Sequence, residues 1–541
     1  MKTLLTGLDI EQKQAVIDNH DKVVCIAGAG TGKTTTLVHR IAYEVSELNK
    51  DPNSILCLTF TNAAANEFEL RYKSLVNLEE SPYFGTFHSF CYMLVCNESI
   101  YRQLGYSSIP SILDESQEKL YTDKAILLSH VSLGKAKLKL SYYPKPKENF
   151  EYRVFFKTLR SLLIKDNKIT FDILCNDICD LFVKNDPSIM TYKYQYKSLY
   201  VDEFQDTDKK QWNFVRSFFG YANIFVVGDI NQAIYSFRGA DSSIMESIIN
   251  DSDWNVDKLQ TNYRSTKSIC NFANSIFTNS TVSLKSTRSG KDVYLLKSTN
   301  ENVNRIWKNI ASNQQNHTLS DMAVICRTNR EVQLLCSYLE DNKFSVNGLD
   351  IPIQFSNKVE SNNEFYLKCA LSDEYYLNYL VSCLSSENRY YIMKNNMMSV
   401  KYLKPIMSKF QFLPRVSSLA ENVKILKNSE SFNSFKSILK FETDSSRQYL
   451  ISDFAKTYVP QILNTNSEVN PNDSNLYIGT IHSVKGLEFK NVWVYNAGSE
   501  YFPLSNKEAQ NLFYVACTRA KDLLIITSPD PSLIIHADKE K

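Results

Sequence analysis

The sequence predicts an α/β protein with two parallel-sheet cores, each interrupted by a helical insertion. Three observations carry that expectation. From about residue 20 to 95, short apolar β-branched runs alternate with helix-length patterns, which is how parallel strands joined by crossover helices read. The alternation returns between 290 and 350 and again near the C-terminal end. Between these stretches, 101–184 is mostly helical in pattern, and 351–470 is rich in Asn, Ser, Tyr and Lys with weaker helical periodicity. The expected layout is a first core from 1–100 and 185–258 and a second from 259–350 and 471–541, with 101–184 and 351–470 as the insertions.

Each element has a local reason. Val23–Ala27 is short, apolar and β-branched, hence a buried strand. Thr34–Val45 reads as the helix after it, Ile55–Thr59 as the next strand and Asn62–Tyr72 as the next helix. Ser198–Val201 and Ile224–Val227 are apolar runs followed closely by acidic residues. Met322–Cys326, Val492–Tyr495 and Leu523–Thr527 read as buried strands of the second core.

Composition bounds the partners. The 541 residues are 43% hydrophobic and 22% charged, which is globular material. Lys+Arg is 61 against Asp+Glu 59, a net +2, so a histone-like polycation is excluded while a local basic groove stays open. No run of eighteen apolar residues occurs, and Met1–Gln14 reaches Asp9, Glu11 and Lys13 too soon for a signal-peptide core, so no membrane association and a cytoplasmic setting are expected. The twelve cysteines are scattered, in apolar contexts such as Cys25, Cys57, Cys326 and Cys517, and read as reduced, buried thiols. The pairs Cys91/Cys96 and Cys175/Cys179 lack a second pair at zinc spacing.

The sharpest local signal is Ala27-Gly28-Ala29-Gly30-Thr31-Gly32-Lys33-Thr34, between a strand and a helix. That is the context a phosphate-binding loop requires. Glycines let backbone N–H groups close on phosphates, and the helix N-terminus adds a positive dipole end. Lys33 can reach the β- and γ-phosphates of ATP, and the Thr34 hydroxyl can ligate Mg²⁺. The strict pattern has Gly where this chain has Ala27. A second signal is Leu199-Tyr200-Val201-Asp202-Glu203-Phe204-Gln205-Asp206, where a strand delivers adjacent carboxylates to its C-terminal end. Asp202 suits the Mg²⁺ shell and Glu203 suits a base that orients the attacking water.

Further motifs narrow the class. They are Thr59-Phe60-Thr61-Asn62, Gly85-Thr86-Phe87-His88, Gly228-Asp229 with Gln232, Tyr235, Phe237 and Arg238, Asn262-Tyr263-Arg264-Ser265, Thr480-Ile481-His482-Ser483-Val484-Lys485-Gly486-Leu487-Glu488-Phe489, and Tyr514-Val515-Ala516-Cys517-Thr518-Arg519-Ala520. With these, from Leu8 to about Thr527 and in this order, the chain resembles the UvrD/Rep family of superfamily 1A helicases. The resemblance implies two RecA-like P-loop NTPase domains with helical insertions and ATP, with Mg²⁺, in the cleft between the cores.

Roles carry over by position as implications of that resemblance. Gln12 matches the glutamine that reads adenine and Tyr263 the aromatic that stacks on the base. Gln232 matches the γ-phosphate sensor, Arg264 and Arg519 the arginines that meet the γ-phosphate from the second core, and Glu488 a nucleotide-side carboxylate. Fixed guanidinium charges neutralise phosphoryl oxygens as charge shifts. Many members carry Arg after the loop Thr, packed on adenine; here Thr35 stands there, which implies weaker base stacking. Phe60, Thr61, Asn62, His88, Tyr235, Phe237, Arg238 and His482 fall at positions of the single-stranded DNA track. Aromatic faces stack on bases without reading sequence, at roughly 1–3 kcal/mol per base. Phe237 stands where the family usually has Trp, and Phe87 and Phe204 read as core rings. Lys135, Lys137, Lys139, Lys145 and Lys147 form either a solvated face or a phosphate track.

The span from Gly348 to Thr480 is shorter than its counterpart in full-length members, and the missing material is mainly the subdomain called 2B, which contacts duplex. Translocation and ATPase activity, 3′ to 5′ by resemblance, follow more directly than processive strand separation. A compact UvrD-like ATPase also resembles the helicase-like subunit of Gabija-type anti-phage systems, which works with an OLD-family nuclease. That implies an alternative, a DNA-regulated ATPase gating a partner nuclease, since no nuclease signature follows Arg519. The exposed faces freed by the shortened insertion, including Tyr375–Leu380, are candidate docking surfaces or parts of the second core.

Overall fold

A computed structural model describes residues 4–76, 78, 80–130, 150–277, 282–312, 319–329, 331–332, 335, 345–346, 349–350, 353–355, 370–372, 423–425, 427–429, 433, 476–498, 502 and 506–530. The lysines at 135, 137, 139, 145 and 147, Gly348 and the segment Tyr375–Leu380 lie outside the described residues.

The chain forms two compact units, Met1–Leu94 with Cys175–Asn357 and Asn472–Lys541, and Val95–Leu174 with Lys358–Pro471. The first unit holds two six-stranded sheets, and all their pairings are parallel. The strands of the first sheet are β1 (Lys22–Ala27), β2 (Ile55–Thr59), β3 (Tyr83–Thr86), β6 (Ser198–Val201), β7 (Asn223–Gly228) and β8 (Asn255–Leu259). Their spatial order is β3-β2-β6-β7-β1-β8, so the carboxyl ends of β1, β7 and β6 lie side by side. That is the edge at which open α/β sheets bind ligands. Two short strands, β4 (Ser111–Ile112) and β5 (Lys168–Ile169), pair in parallel within the second unit, where Tyr121 hydroxyl donates to Asp166 at 2.9 Å.

The second sheet of the first unit runs β13-β14-β10-β15-β16-β9. Its strands are β9 (Tyr294–Lys297), β10 (Met322–Cys326), β13 (Ile353–Phe355), β14 (Leu476–Thr480), β15 (Phe489–Val494) and β16 (Ala520–Ser528). The small antiparallel pair β11 (Ser345–Val346) and β12 (Leu349–Asp350) precedes β13. In β10 the side-chain alternation of a strand divides the core. Met322, Val324 and Cys326 pack with Trp307 and Trp493, whereas Ala323 and Ile325 pack with Val492, Leu524 and Ile526 on the other face.

Successive residues of β1, β2 and β7 are buried, so the first sheet is apolar on both faces, as in parallel sheets generally. The helix Lys33–Ser46 lays Leu37, Ile41 and Val45 and the adjoining Val38 and Ala42 onto Val23, Cys25 and Ala27 of β1. These positions recur at i and i+4, one face of a helix. Burial pushes the Cys25 and Cys517 thiols far above their ordinary range, so they behave as small hydrophobes. Among the described residues no helix is long and apolar enough to cross a membrane.

Candidate nucleotide site and nucleic-acid face

The glycine-rich loop leaves the end of β1 and feeds the helix that starts at Lys33. Ala27 is not part of the loop: it is the last residue of β1, fully buried and in register with Leu259. Its Cβ points into the core, which is why Ala replaces the expected glycine without disturbing the turn. Gly30 and Gly32 have φ of +68° and +84°, conformations that L side chains rarely adopt. A Cβ on Gly30 would lie 2.7 Å from the Arg264 Cβ, and one on Gly32 2.6 Å from the Gln12 amide nitrogen. The loop is stitched from outside. Gln12 Nε2 donates to the Thr31 carbonyl (3.0 Å), Asn262 Nδ2 to Ala29 (2.6 Å) and the Tyr263 backbone N–H to Gly30 (2.9 Å). Thr31 Oγ1 closes the turn on the Gly28 carbonyl at 2.9 Å. Carbonyls taken on one side are what a loop presenting N–H groups to an anion requires.

The adenine-side expectations find mixed ground. Gln12 is buried; its amide holds the loop, and its oxygen accepts from Asp9 N–H to complete a capping box. Its role here is therefore to clamp the loop, and a free edge for a purine is not what the geometry presents. Tyr263 is half exposed and its hydroxyl donates to Asp9 Oδ2 at 2.5 Å, so a ring face is open while its tip is fixed. Beside Thr35, the Arg71 guanidinium donates to the Thr35 hydroxyl at 3.3 Å, so a positive charge stands near the position where the loop itself lacks one.

The carboxylates follow β6. Glu203 has φ +49°, a left-handed conformation in a non-glycine residue. Such strain costs of order 1–3 kcal/mol and persists where the surroundings enforce it. Both Glu203 oxygens lie 3.4 Å from Lys33 Nζ, and Gln205 Nε2 donates to Oε2 at 2.5 Å. Burial pushes the Glu203 pKa up, but Lys33, Lys485 and the Gln205 hydrogen bond outweigh it and hold the carboxyl down at about 2. Asp202 goes the other way: burial, then the Glu203 charge, push it up to about 7. Its Oδ1 is buried without a hydrogen-bond partner.

An orphaned carboxylate oxygen near Lys33 fits a divalent cation that this chain does not fully ligate alone. Among the described residues no group of three or more acidic, His or Cys side chains could hold a metal ion. The remaining ligands of a Mg²⁺ ion held at Asp202 and Thr34 would come from phosphate and water, as Mg²⁺ prefers.

The arginines come from the second sheet and the segment leading to it. Arg519, immediately before β16, is buried; its NH2 donates to Gln232 Oε1 (3.2 Å), its Nε to the Val515 carbonyl (3.0 Å) and its NH1 to the Leu487 carbonyl (3.2 Å). Burial, then Arg264 nearby, push its pKa down to about 9. Gln232 Nε2 donates in turn to Asp229 Oδ2 at 2.7 Å. Arg264 Nε pairs with Glu488 Oε2 at 2.7 Å, and Lys521 pairs with Oε1 at 2.5 Å. Burial raises the Glu488 pKa, but Lys521 and Arg264 hold it below the ordinary carboxylate range. Glu488 thus tethers both cations beside the loop rather than pointing at it alone.

The residues expected to meet nucleic acid gather at the carboxyl ends of β2, β3, β7 and β14. Phe60, Thr61, Asn62, His88, Phe237 and Arg238 are exposed there and His482 is half-buried. The Thr61 hydroxyl also caps the helix Asn62–Leu75 by accepting from Ala64 N–H. Phe237 meets His482 edge-on at 5.2 Å, and the Arg238 guanidinium lies 5.2 Å from the Tyr235 ring centre. Tyr235 departs from expectation. It is buried, stacked on Phe60 (centroids 5.1 Å, 18°) with Lys485 Nζ 4.8 Å from its ring centre, so it supports the face instead of forming it. Phe87 and Phe204 are core rings, Phe87 against Phe214 and Phe204 against Trp212. A cavity of about 220 Å³ runs from Asp202, Glu203 and Asp206 to Phe60, His88 and Arg238, joining the carboxylates to this face.

Residues 8–253 match the UvrD/REP helicase N-terminal domain, and 258–375 with 384–530 match the UvrD-like helicase C-terminal domain. The chain belongs to the UvrD/REP helicase family. It is accordingly an ATP-hydrolysing enzyme, and its two parallel sheets are of the RecA-like kind. A probable DNA helicase II homolog of Mycoplasma genitalium is 26% identical, with 96% of this chain and 84% of that protein covered. The ATP-dependent DNA helicase PcrA of Staphylococcus epidermidis is 25% identical over 98% of this chain and 84% of its own length. PcrA of Staphylococcus aureus is 29% identical over 62% of this chain and 50% of its own.

Several residues at the site carried no assignment from sequence: Asn262, Gln205, Asp206, Asp229 and Lys485. All lie inside motifs already visible. Polar residues in otherwise apolar motif stretches were the available signal, but which carbonyl or carboxylate each would meet depends on chain segments far away.

Proposed function

We propose that the protein is an ATP-driven motor on single-stranded DNA, a helicase or translocase that steps 3′ to 5′, with Mg²⁺ as cofactor. The observation that carries the reading is convergence. Lys33 and Glu203 of one core lie with Gln232, which Arg519 of the other core engages, and a cavity leads from the carboxylates to an aromatic and basic face. In this reading residues 1–100 with 185–258 and 259–350 with 471–541 form the two RecA-like domains, and 101–184 and 351–470 are insertions.

The residues divide the work. The loop N–H groups not already donated to carbonyls, among them those of Gly30 and Gly32, bind the phosphates with Lys33, while Tyr263 packs on the base and Gln12 fixes the loop. Mg²⁺, held by Thr34 and Asp202, would supply charge neutralisation at the phosphates. Glu203, held ionised by Lys33, Lys485 and Gln205, accepts the proton of the attacking water. Arg264 and Arg519 stabilise the charge that develops on the phosphoryl group, and Gln232 links Arg519 to Asp229. Phe60, Thr61, Asn62, His88, Phe237, Arg238 and His482, backed by Tyr235, carry the strand.

Direction is tested by streptavidin displacement from biotinylated single strands. Displacement from the 5′ end with ATP, and not from the 3′ end, is expected; the opposite preference would overturn the direction. The nuclease-gating reading draws on the length of the second insertion, which lies mostly outside the described residues, and we do not adopt it.

A further inference from the structure

Three cysteines meet outside the motif stretches. Cys91 lies on the helix Phe87–Val95, and Cys175 and Cys179 lie on the helix Phe171–Lys184. Residues four apart share a helix face, so Cys175 and Cys179 stand one turn apart on the same side. The two helices pack together. Phe90, beside Cys91, meets Phe182 with ring centroids 6.4 Å apart, and both rings lean on Phe214, at 6.0 and 4.7 Å. The second helix is tied down further by Asp180, which pairs with Lys210 at 3.0 Å. Across this contact the Cys91 and Cys175 side chains are hydrogen-bonded, and all three sulfurs are reduced.

Their surroundings differ. Cys91 and Cys179 are buried, whereas Cys175 is half-buried. Burial, then the hydrogen bond with Cys175, pushes the Cys91 thiol well above its ordinary range, and burial does the same to Cys179. A thiol kept protonated does not start an exchange reaction, because the thiolate is the nucleophile. Cys175 is the sulfur of the three that solvent reaches, so an oxidant meets it first. Packing alone asks for small apolar side chains between these helices; it does not ask for two sulfurs in contact.

The place of the pair in the chain gives it a consequence. The chain leaves the first unit after Leu94 and re-enters it at Cys175. A bond from Cys91 to Cys175 therefore closes the whole stretch 95–174 into a covalent loop, fastened within a few residues of both crossings.

We infer that Cys91 and Cys175 form a thiol switch that hydrogen peroxide oxidises to an intramolecular disulfide, clamping the insertion where its chain begins and ends. The Cys175 sulfur attacks the peroxide O–O bond, which gives a sulfenic acid and releases one water. The Cys91 sulfur then displaces the hydroxyl from Cys175. The S–S bond forms, and the Cys91 proton leaves with that hydroxyl as a second water. Two thiols have then passed two electrons to one peroxide, and a dithiol reductant reverses the bond by exchange. The switch is independent of the proposed action on DNA.

The test treats the reduced full chain with hydrogen peroxide, blocks remaining thiols with iodoacetamide, digests without reductant and maps disulfides by mass spectrometry. Wild type, Cys175→Ser, Cys91→Ala and Cys179→Ser are compared, each with its thermal midpoint before and after oxidation. Wild type should yield a peptide pair joining Cys91 to Cys175 that dithiothreitol separates. Its midpoint should rise by about 5 °C on oxidation, since closing a long loop restricts the unfolded chain. Cys179→Ser should keep both the link and the rise. Cys175→Ser, at a half-buried position, should keep the wild-type midpoint when reduced and lose both. If Cys91→Ala fails to fold, Cys175→Ser decides alone. A Cys91–Cys179 link, over-oxidation of Cys175 with the Cys91 thiol intact, or a link that forms only in urea would overturn the inference. So would a Cys91–Cys175 link that leaves the midpoint unchanged.

Discussion

Glu203 shows how one residue is prepared by its surroundings. Its backbone is left-handed, its carboxylate is shared between Lys33 and Gln205, and its pKa is held at about 2 while neighbouring Asp202 is pushed up to about 7. Opposite displacements in two adjacent acids suit the different tasks proposed for them. Glu203→Gln should lower ATP turnover by about 10²–10⁴-fold, the usual worth of a general base, while a non-hydrolysable ATP analogue still binds. Turnover at the wild-type rate would show that the base lies elsewhere. Asp257 on β8 gives a separate check at this scale. Burial, then Asp18, raise its pKa to about 6, above the unfolded value of about 3.9. Its contribution to stability is therefore full below about pH 4 and lost as pH rises through 6. Asp257→Asn should raise the thermal midpoint by about 2–4 °C at pH 8 and leave it unchanged at pH 4. An equal effect at both pH values would contradict the assignment.

At the scale of elements, the loop between β1 and its helix depends on glycine for two reasons at once. Gly30 needs its positive φ, and its missing Cβ makes room for Arg264 and Asn262. Gly30→Ala should abolish nucleotide binding measured by calorimetry, whereas Ala27→Gly, inside β1, should leave binding intact. The strands were legible in sequence because parallel strands buried on both faces are continuous apolar runs: Ile55–Thr59, Ser198–Val201 and Met322–Cys326 have the bounds that their composition implies. The polar linkages were not legible. Lys485 and Asp206 are joined only by the fold, and no local period reports such a pair. Tyr235 failed for a related reason: an aromatic beside basic residues reads as a stacking face, but Phe60 and Lys485 cover it. Phe237, exposed at 46%, has the open surface that the proposed stacking needs. Phe237→Ala should weaken strand binding roughly tenfold, within the 1–3 kcal/mol of one base stack, and reduce strand stimulation more than basal turnover.

For the molecule as a whole, the near-neutral charge of +2 places the burden of strand binding on a local face rather than on a global field. In the proposed reading that face lies along the same sheet edge as the phosphate loop after β1 and the acids after β6, so strand binding and hydrolysis meet at the carboxyl ends of the first sheet. The second sheet adds Arg519, Glu488 and Lys485 to the same place. Phosphate contacts release counterions, so strand affinity should fall steeply with salt while basal turnover changes little. The central claim is that the two cores form one ATP site answering to single-stranded DNA. Its most direct measurement is steady-state ATP turnover of the purified chain across a titration of single-stranded oligonucleotide. A saturable rise that shifts to higher oligonucleotide concentration with added salt is the result expected; a flat response at every concentration would contradict the account.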